Sequence, residues 1–139
     1  MADRESSPTQ AAGTVHGTAA ALLVAANRIS QRLEGELRER QLASTEALLL
    51  VTLATVGPLT MRRIAEELAV RPSSATSFVN RMETRGLVER RTNPQDARSV
   101  LVDLTAVGED AATAASGAFT YLDAELDAGP GTFPGTSHT

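Results

Sequence analysis

The sequence predicts a mainly α-helical domain carrying one small β-hairpin, and three observations lead there. Apolar residues recur at three- and four-residue spacing over most of the chain. That periodicity breaks once, between Leu87 and Leu104, into two short runs of apolar and β-branched residues. The boundaries between runs carry Ser, Thr, Gly and Pro, the residues that start and stop helices. A chain of 139 residues, 42% hydrophobic and 22% charged, fits one domain of ordinary globular balance.

The elements follow in order. Residues 1–13 are polar, with Ser6, Ser7, Pro8 and Gly13, and are read as a flexible arm. From about Thr14 to Arg38, Val15, Ala19, Leu22, Ala26, Ile29 and Leu33 mark the four-three seam of a long helix. Arg32 with Glu36, and Glu34 with Arg38, stand at i,i+4 spacing and are expected on its solvated face. Ser44 or Thr45 caps a second helix, with Glu46 in its first turn, that runs through Leu53 until Gly57-Pro58 ends it. Apolar nearly all round, this helix belongs at the centre of the core. Thr60 caps a short third helix whose inner face is Ile64, Ala65 and Leu68. Ala69 to Pro72 then turn the chain into a fourth helix that ends at Gly86, with Pro72 in the first turn, where its missing N–H costs nothing. Leu87 to Arg91 and Val100 to Leu104 form the hairpin, around a polar loop containing Asn93-Pro94 and Asp96, with the register at Leu101 and Val102 left open. Thr105 caps a last helix through Ala111, Ala115, Ala118, Phe119, Leu122 and Leu126, stopped by Gly129-Pro130. Residues 129–139, rich in Gly, Pro and Thr, are read as a flexible tail.

Several function classes are set aside. The absence of cysteine excludes disulfides, thiolate metal sites and cysteine redox switching. Ala19 to Ala26 is too short to span a bilayer, and Arg4 between Asp3 and Glu5 does not make the basic leader of a secretory signal, so a cytoplasmic protein is expected. His16 and His138 lie at the chain's two ends, and neither a Gly-rich phosphate loop, a His-x-x-x-His pair nor a nucleophile elbow is present. Glu109 and Asp110 read as the acidic start of a helix rather than a catalytic pair. No catalytic residue, metal ligand or cofactor is therefore expected, and the chain is not read as an enzyme.

Two helices joined by a tight turn and followed at once by a hairpin make the winged helix-turn-helix order, here with a flanking helix on each side. In that order the fourth helix is the reader. Ala75, Phe78, Val79 and Met82 fall at inward spacing, which leaves Ser73, Ser74, Thr76, Ser77, Asn80, Arg81 and Thr84 on or near the outer side. Short uncharged side chains at the helix start permit close approach to a major groove, Asn80 suits adenine and Arg81 suits guanine. The same residues equally describe an ordinary solvated helix face. Arg90, Arg91 and Arg98 bracket the hairpin loop, where Asp96 can accept from nearby amides or an arginine and hold the tip in shape. An arginine on such a tip is placed to enter a minor groove, although charged tips are also common solvated surface. The net charge of −4 hides a local basic excess, eight arginines against five carboxylates between Thr60 and Arg98. All thirteen basic residues are arginine, which suits bidentate contacts and reflects codon bias equally well.

The run Gly86-Leu87-Val88-Glu89-Arg90-Arg91, the segment Asp96-Ala97-Arg98-Ser99-Val100-Leu101-Val102-Asp103-Leu104-Thr105 and Gly108 resemble the wing signature of the MarR family of transcriptional regulators. Ile64-Ala65-Glu66-Glu67-Leu68 and Arg71-Pro72-Ser73-Ser74 resemble its third helix and the start of its reader. The likeness covers residues 14–128, with 14–40 and 105–128 as dimerisation helices and 44–104 as the DNA-binding part. It implies a homodimer on a pseudo-palindromic operator in double-stranded DNA, with Arg98 in the minor groove and Asp96 supporting the wing. It further implies a repressor released by a small, often aromatic or anionic, effector bound between the two parts. The expected contact set is Ser73, Ser74, Thr76, Ser77, Asn80, Arg81, Arg91, Asp96 and Arg98. Family members usually close the dimer with the first helix and two C-terminal helices, and this chain is expected to supply only the first of those two. The competing reading is a winged helix that binds protein rather than DNA.

Overall fold

The computed structural model describes residues 17–128. The expected arm and tail, Val15, His16 and His138 lie outside the described residues. The element order is α1 (Thr18–Glu36), a single 3-10 turn (Arg38–Arg40), α2 (Ser44–Val56), β1 (Leu59–Thr60), α3 (Met61–Leu68), α4 (Pro72–Thr84), β2 (Val88–Asn93), β3 (Asp96–Leu104) and α5 (Ala106–Asp127). The mainly α architecture with a β wing is the one the periodicity predicts.

Helix α2 lies at the centre, with Ala47, Leu49, Leu50 and Leu53 buried. Around it pack Ile64 and Leu68 of α3, Phe78, Val79 and Met82 of α4, and an alanine-rich face of α5 ending in Leu122. Each large side chain buried this way contributes about 1.5–3 kcal/mol. The cap of α2 differs from expectation. Its cap position is Ala43, not Ser44 or Thr45, and the Glu46 carboxylate accepts the Ala43 N–H at 3.0 Å in place of a hydroxyl. Thr60 caps α3 as expected, its hydroxyl accepting the Arg63 N–H at 3.2 Å. Helix α3 ends with Ala69 in the left-handed region at φ 55, while α4 ends on Gly86 at φ 77. At that second end the Gly86 N–H bonds Glu83 O and the Leu87 N–H bonds Met82 O, the paired closure that glycine favours.

The sheet carries one strand more than the expected hairpin. Strand β1 pairs antiparallel with β3, Leu59 opposite Val102 and Thr60 opposite Leu101, giving the order β1-β3-β2. Two residues are too few to show a period of two, but they satisfy what would otherwise be an open edge of β3. The hairpin strands also run further than the apolar residues suggest. Pairing extends from Val88 opposite Leu104 to Asn93 opposite Asp96, leaving only Pro94 and Gln95 as the turn. The open register resolves with Val102 buried and Arg90 opposite it.

The first helix starts at Thr18 and stops at Glu36, and its seam enters the core only at its end. Leu33 is buried, whereas Leu22 and Leu23 are 66% and 63% exposed. The face expected to be solvated is exposed at Glu34, Glu36 and Arg38, while Arg32 and Glu34 make longer-range hydrogen bonds. Arg32 donates to Glu125 of α5 at 2.7 Å, and Glu34 accepts the Ser44 N–H at 3.0 Å. Both partners lie on elements that pack beside α1, so each side chain reaches across to a neighbour instead of along its own helix.

The start of α5 is pinned to the end of α4. The Thr105 N–H donates to Leu87 O at 3.1 Å, its hydroxyl donates to Gly86 O at 2.5 Å, and the same oxygen accepts the Gly108 N–H at 3.0 Å. A Cβ on Gly108 would stand 1.9 Å from Leu87 O. Gly108→Ala is therefore expected to cost about 1–3 kcal/mol, read as a lowered midpoint in chemical denaturation.

At the other end of α5, the hydrogen bond from Arg32 holds the Glu125 carboxyl below the usual carboxylate range. The Tyr121 hydroxyl, bonded to the same carboxylate, is pushed up. A depressed carboxyl stabilises the fold above its unfolded value, about 4.3 for glutamate, and that contribution is lost as pH falls through the folded value. Thermal midpoints of the parent and Glu125→Gln should differ near neutrality and converge as pH falls below about 4. A constant gap would show that the pair carries no proton linkage.

Candidate nucleic-acid interface

Helix α4 separates its two faces as the spacing demands. Ala75, Phe78, Val79 and Met82 are buried, and Ser73, Ser74, Thr76, Ser77, Asn80, Arg81 and Thr84 are exposed. No side chain caps α4, whose cap position is Arg71. The N–H groups of Ser73 and Ser74 thus lack an intrahelical partner and carry the positive end of the helix outward. The hydroxyls of Ser73, Ser74 and Ser77 make no hydrogen bond among the described residues, so they are available to a ligand. Thr76 differs, because its hydroxyl donates to Pro72 O at 3.0 Å.

The polar residues further along α4 are already engaged. Asn80 Oδ1 accepts from Arg90 of β2, and Arg90 also donates to Glu83 at 3.1 Å, so this arginine ties the wing to the reader helix. Arg81 donates through Nε to Glu46 of α2 at 3.4 Å, and its side chain stays 59% exposed. Arg85, one turn later, donates to the other oxygen of Glu46 at 3.4 Å and to the carbonyls of Gln41 and Arg40 at 2.9 and 2.7 Å. The arginine partners of Glu46, the backbone acceptors of Arg85 and the Glu83 partner of Arg90 escape a reading of the sequence, because they lie 7 to 45 positions away. The one local sign is Arg81 and Arg85 at i,i+4, which places two guanidiniums on one face.

The wing tip is built from side-chain bonds. Asn93 Oδ1 accepts the Gln95 N–H at 3.0 Å, and Asn93 Nδ2 donates to Ser99 Oγ at 2.9 Å. Between the pairs Asn93–Asp96 and Thr92–Val100 the register shifts, so Ala97, Arg98 and Ser99 bulge from β3 without a partner residue on β2. Within the bulge Asp96 Oδ1 accepts both the Arg98 N–H at 3.0 Å and its Nε at 3.2 Å. That fixes the base of the Arg98 side chain, which is 91% exposed. Arg91 sits lower on β2 and pairs with Asp103 of β3 at 3.1 Å. The structure thus gathers six of the nine expected contacts on α4 and two on the bulged tip, and commits Arg91 to the strand below.

Seven of the eight arginines between Thr60 and Arg98 pair with carboxylates, Arg71 being the exception. Apart from the two made to the buried Glu46, these are exposed pairs worth about 0–1 kcal/mol, so a phosphate can displace the carboxylate at small cost. Among the described residues no group of three His, Cys, Asp or Glu is placed to hold a metal ion, and no helix is long and apolar enough to cross a membrane.

Residues 42–100 match the sequence model of the MarR family. An uncharacterized HTH-type transcriptional regulator of Mycobacterium leprae is 30% identical over 94 residues, which cover 68% of this chain and 66% of that one. The chain belongs to the MarR family. The uncharacterized HTH-type transcriptional regulator YwhA of Bacillus subtilis is 36% identical over 56 residues, 40% of this chain and 40% of that protein. The match thus spans well under two thirds of that relative. In fold, the chain superposes on S. aureus MepR solved as a DNA complex with a TM-score of 0.74 over 82% of this chain and 85% of that one, at 18% identity. The winged helix-turn-helix of the MarR family is accordingly the architecture of residues 17–128.

Proposed function

We propose that this chain is a sequence-specific DNA-binding transcriptional regulator, a homodimeric repressor of the MarR type that a small molecule releases from a pseudo-palindromic operator. The observation that carries the reading is the pairing of two features. Helix α4 starts on an uncharged face whose Ser73, Ser74 and Ser77 hydroxyls are free, and the adjoining wing holds Arg98 by its base and leaves the rest of the guanidinium in solvent. Such a face can approach base edges without a carboxylate meeting phosphate, while a fixed arginine suits the narrow, negative minor groove. In this reading Ser73, Ser74, Thr76, Ser77, Asn80, Arg81 and Arg98 contact the duplex. Asp96 acts by orienting Arg98, and Arg91 reaches phosphate by exchanging Asp103 for it.

Residues 14–40 and 105–128 serve dimerisation, and 44–104 serve DNA binding. Support for this division comes from the apolar side chains left exposed on α1 and α5, namely Leu22, Leu23, Tyr121 and Leu126. A cavity of about 460 Å³ between α2, β3 and α5, lined by Leu53, Leu104 and Ala112, stands where an effector would report to both parts. Its rim carries Asp103 and Glu109, which favours a neutral or cationic effector over an anionic one. A regulator acting on chromosomal DNA works in the cytoplasm, binds no membrane, and needs neither catalytic residues nor a cofactor.

The test is selection of bound fragments from genomic DNA by the purified chain, followed by titration of the enriched duplex. Arg98→Ala should weaken binding about tenfold or more with fold and dimer intact, and affinity should fall steeply as salt rises. Enrichment of no sequence, together with salt-insensitive capture of a protein partner, would replace this reading with a protein-binding winged helix.

A further inference from the structure

Among the described residues Glu46 is the one charged side chain that is buried, at 4% exposure. A buried carboxylate is costly unless its lone pairs are filled. Here Oε1 takes the Ala43 N–H and Arg85 Nη1, and Oε2 takes Arg81 Nε. The two arginines play different parts. Arg85 is spent within the protein, since its terminal nitrogens also hold the carbonyls of Arg40 and Gln41. Arg81 gives Glu46 only its Nε, and its two terminal nitrogens meet no acceptor among the described residues. A guanidinium gripped at Nε keeps its planar fork but loses rotational freedom, and the fork is the edge that pairs bidentately with a guanine or a phosphate.

Resting on the DNA-binding reading above, we infer that Glu46 is a positioning residue for sequence readout, holding Arg81 so that its free fork faces one base pair of the operator. Glu46 itself never meets the duplex, because it lies under α4 at the start of α2. Its burial makes the hold stiff, since the side chain has no solvent to turn toward and its remaining bonds fix it at Ala43 and Arg85. Arg81 is therefore pre-oriented before DNA arrives, and the ordering cost that a free arginine meets on binding is already met in the fold.

The test is a two-residue cycle, with Glu46→Gln, Arg81→Ala and the double variant each selecting from a randomised duplex pool. Glutamine keeps the shape and an oxygen for the Ala43 N–H and Arg85, but its amide turns a donor toward Arg81. Circular dichroism and the thermal midpoint establish that each variant is folded. Glu46→Gln should lower the preference at one base pair about tenfold, the preference that Arg81→Ala removes, and should change nothing further in the Arg81→Ala background. An equal loss of affinity in both backgrounds, with base preference unchanged, overturns the inference. Arg81→Lys provides the second arm if Glu46→Gln does not fold. A lysine keeps the charge but lacks the fork, so the preference at that base pair should fall, and an unaltered preference overturns the inference. If the parent protein itself enriches no sequence, it is the DNA-binding reading that has failed, and the positioning role falls with it.

Discussion

The structure depends on one close approach, the backbone of Gly108 lying directly against the carbonyl of Leu87. Within these few residues the reader helix ends, the wing begins and closes, and the last helix starts. Leu87 O accepts the Thr105 N–H, Gly86 O accepts the Thr105 hydroxyl, and Val88 pairs with Leu104 one step further. A side chain at position 108 would force α5 away from the end of α4 and open the base of the wing. Three elements share this junction, so the base of the wing is bonded to the end of the reader helix. The junction sets two separate features, the polar face of α4 and the exposed Arg98, on adjoining elements.

Electrostatics complete what packing begins. A chain of net charge −4 presents basic groups because its arginines are held by carboxylates that also shape the backbone. Asp96 bonds the Arg98 amide as well as its side chain, so the acid defines the bulge that projects the arginine. Glu83 and Asn80 hold Arg90 and lock β2 against α4. These pairs contribute little stability where they are exposed, but each removes rotamers from a long side chain and sets the direction of its free edge.

Legibility in the sequence follows the range of the interaction. The inner face of α4 could be read because burial imposes a local period, and Ala75, Phe78, Val79 and Met82 repeat it within two turns. Thr60 and Thr105 could be read because a cap acts across three residues. Ser44 misled, since the helix starts one residue earlier, with Ala43 at the cap position and its N–H taken by the Glu46 carboxylate. Strand β1 was hidden because two residues carry no alternation, and its pairing with Val102 and Leu101 exists only in three dimensions. For the site, the exposed positions were visible and their partners were not. Sequence spacing can say that Arg81 and Arg91 face outward, but only the fold shows that Glu46 and Asp103 meet them.

The same long-range bonds join the two halves of the chain at the connection between α1 and α2. Gln41 is held in the left-handed region at φ 56, a conformation that costs a non-glycine residue about 1–2 kcal/mol. Its carbonyl accepts from Arg85, as does that of Arg40, while the Arg40 side chain reaches Asp110 of α5 at 3.0 Å. The connection is thus gripped from the reader helix on one side and from the last helix on the other. Arg85 shares the Glu46 carboxylate with Arg81, so the connection is joined to the outer face of α4 through one buried group.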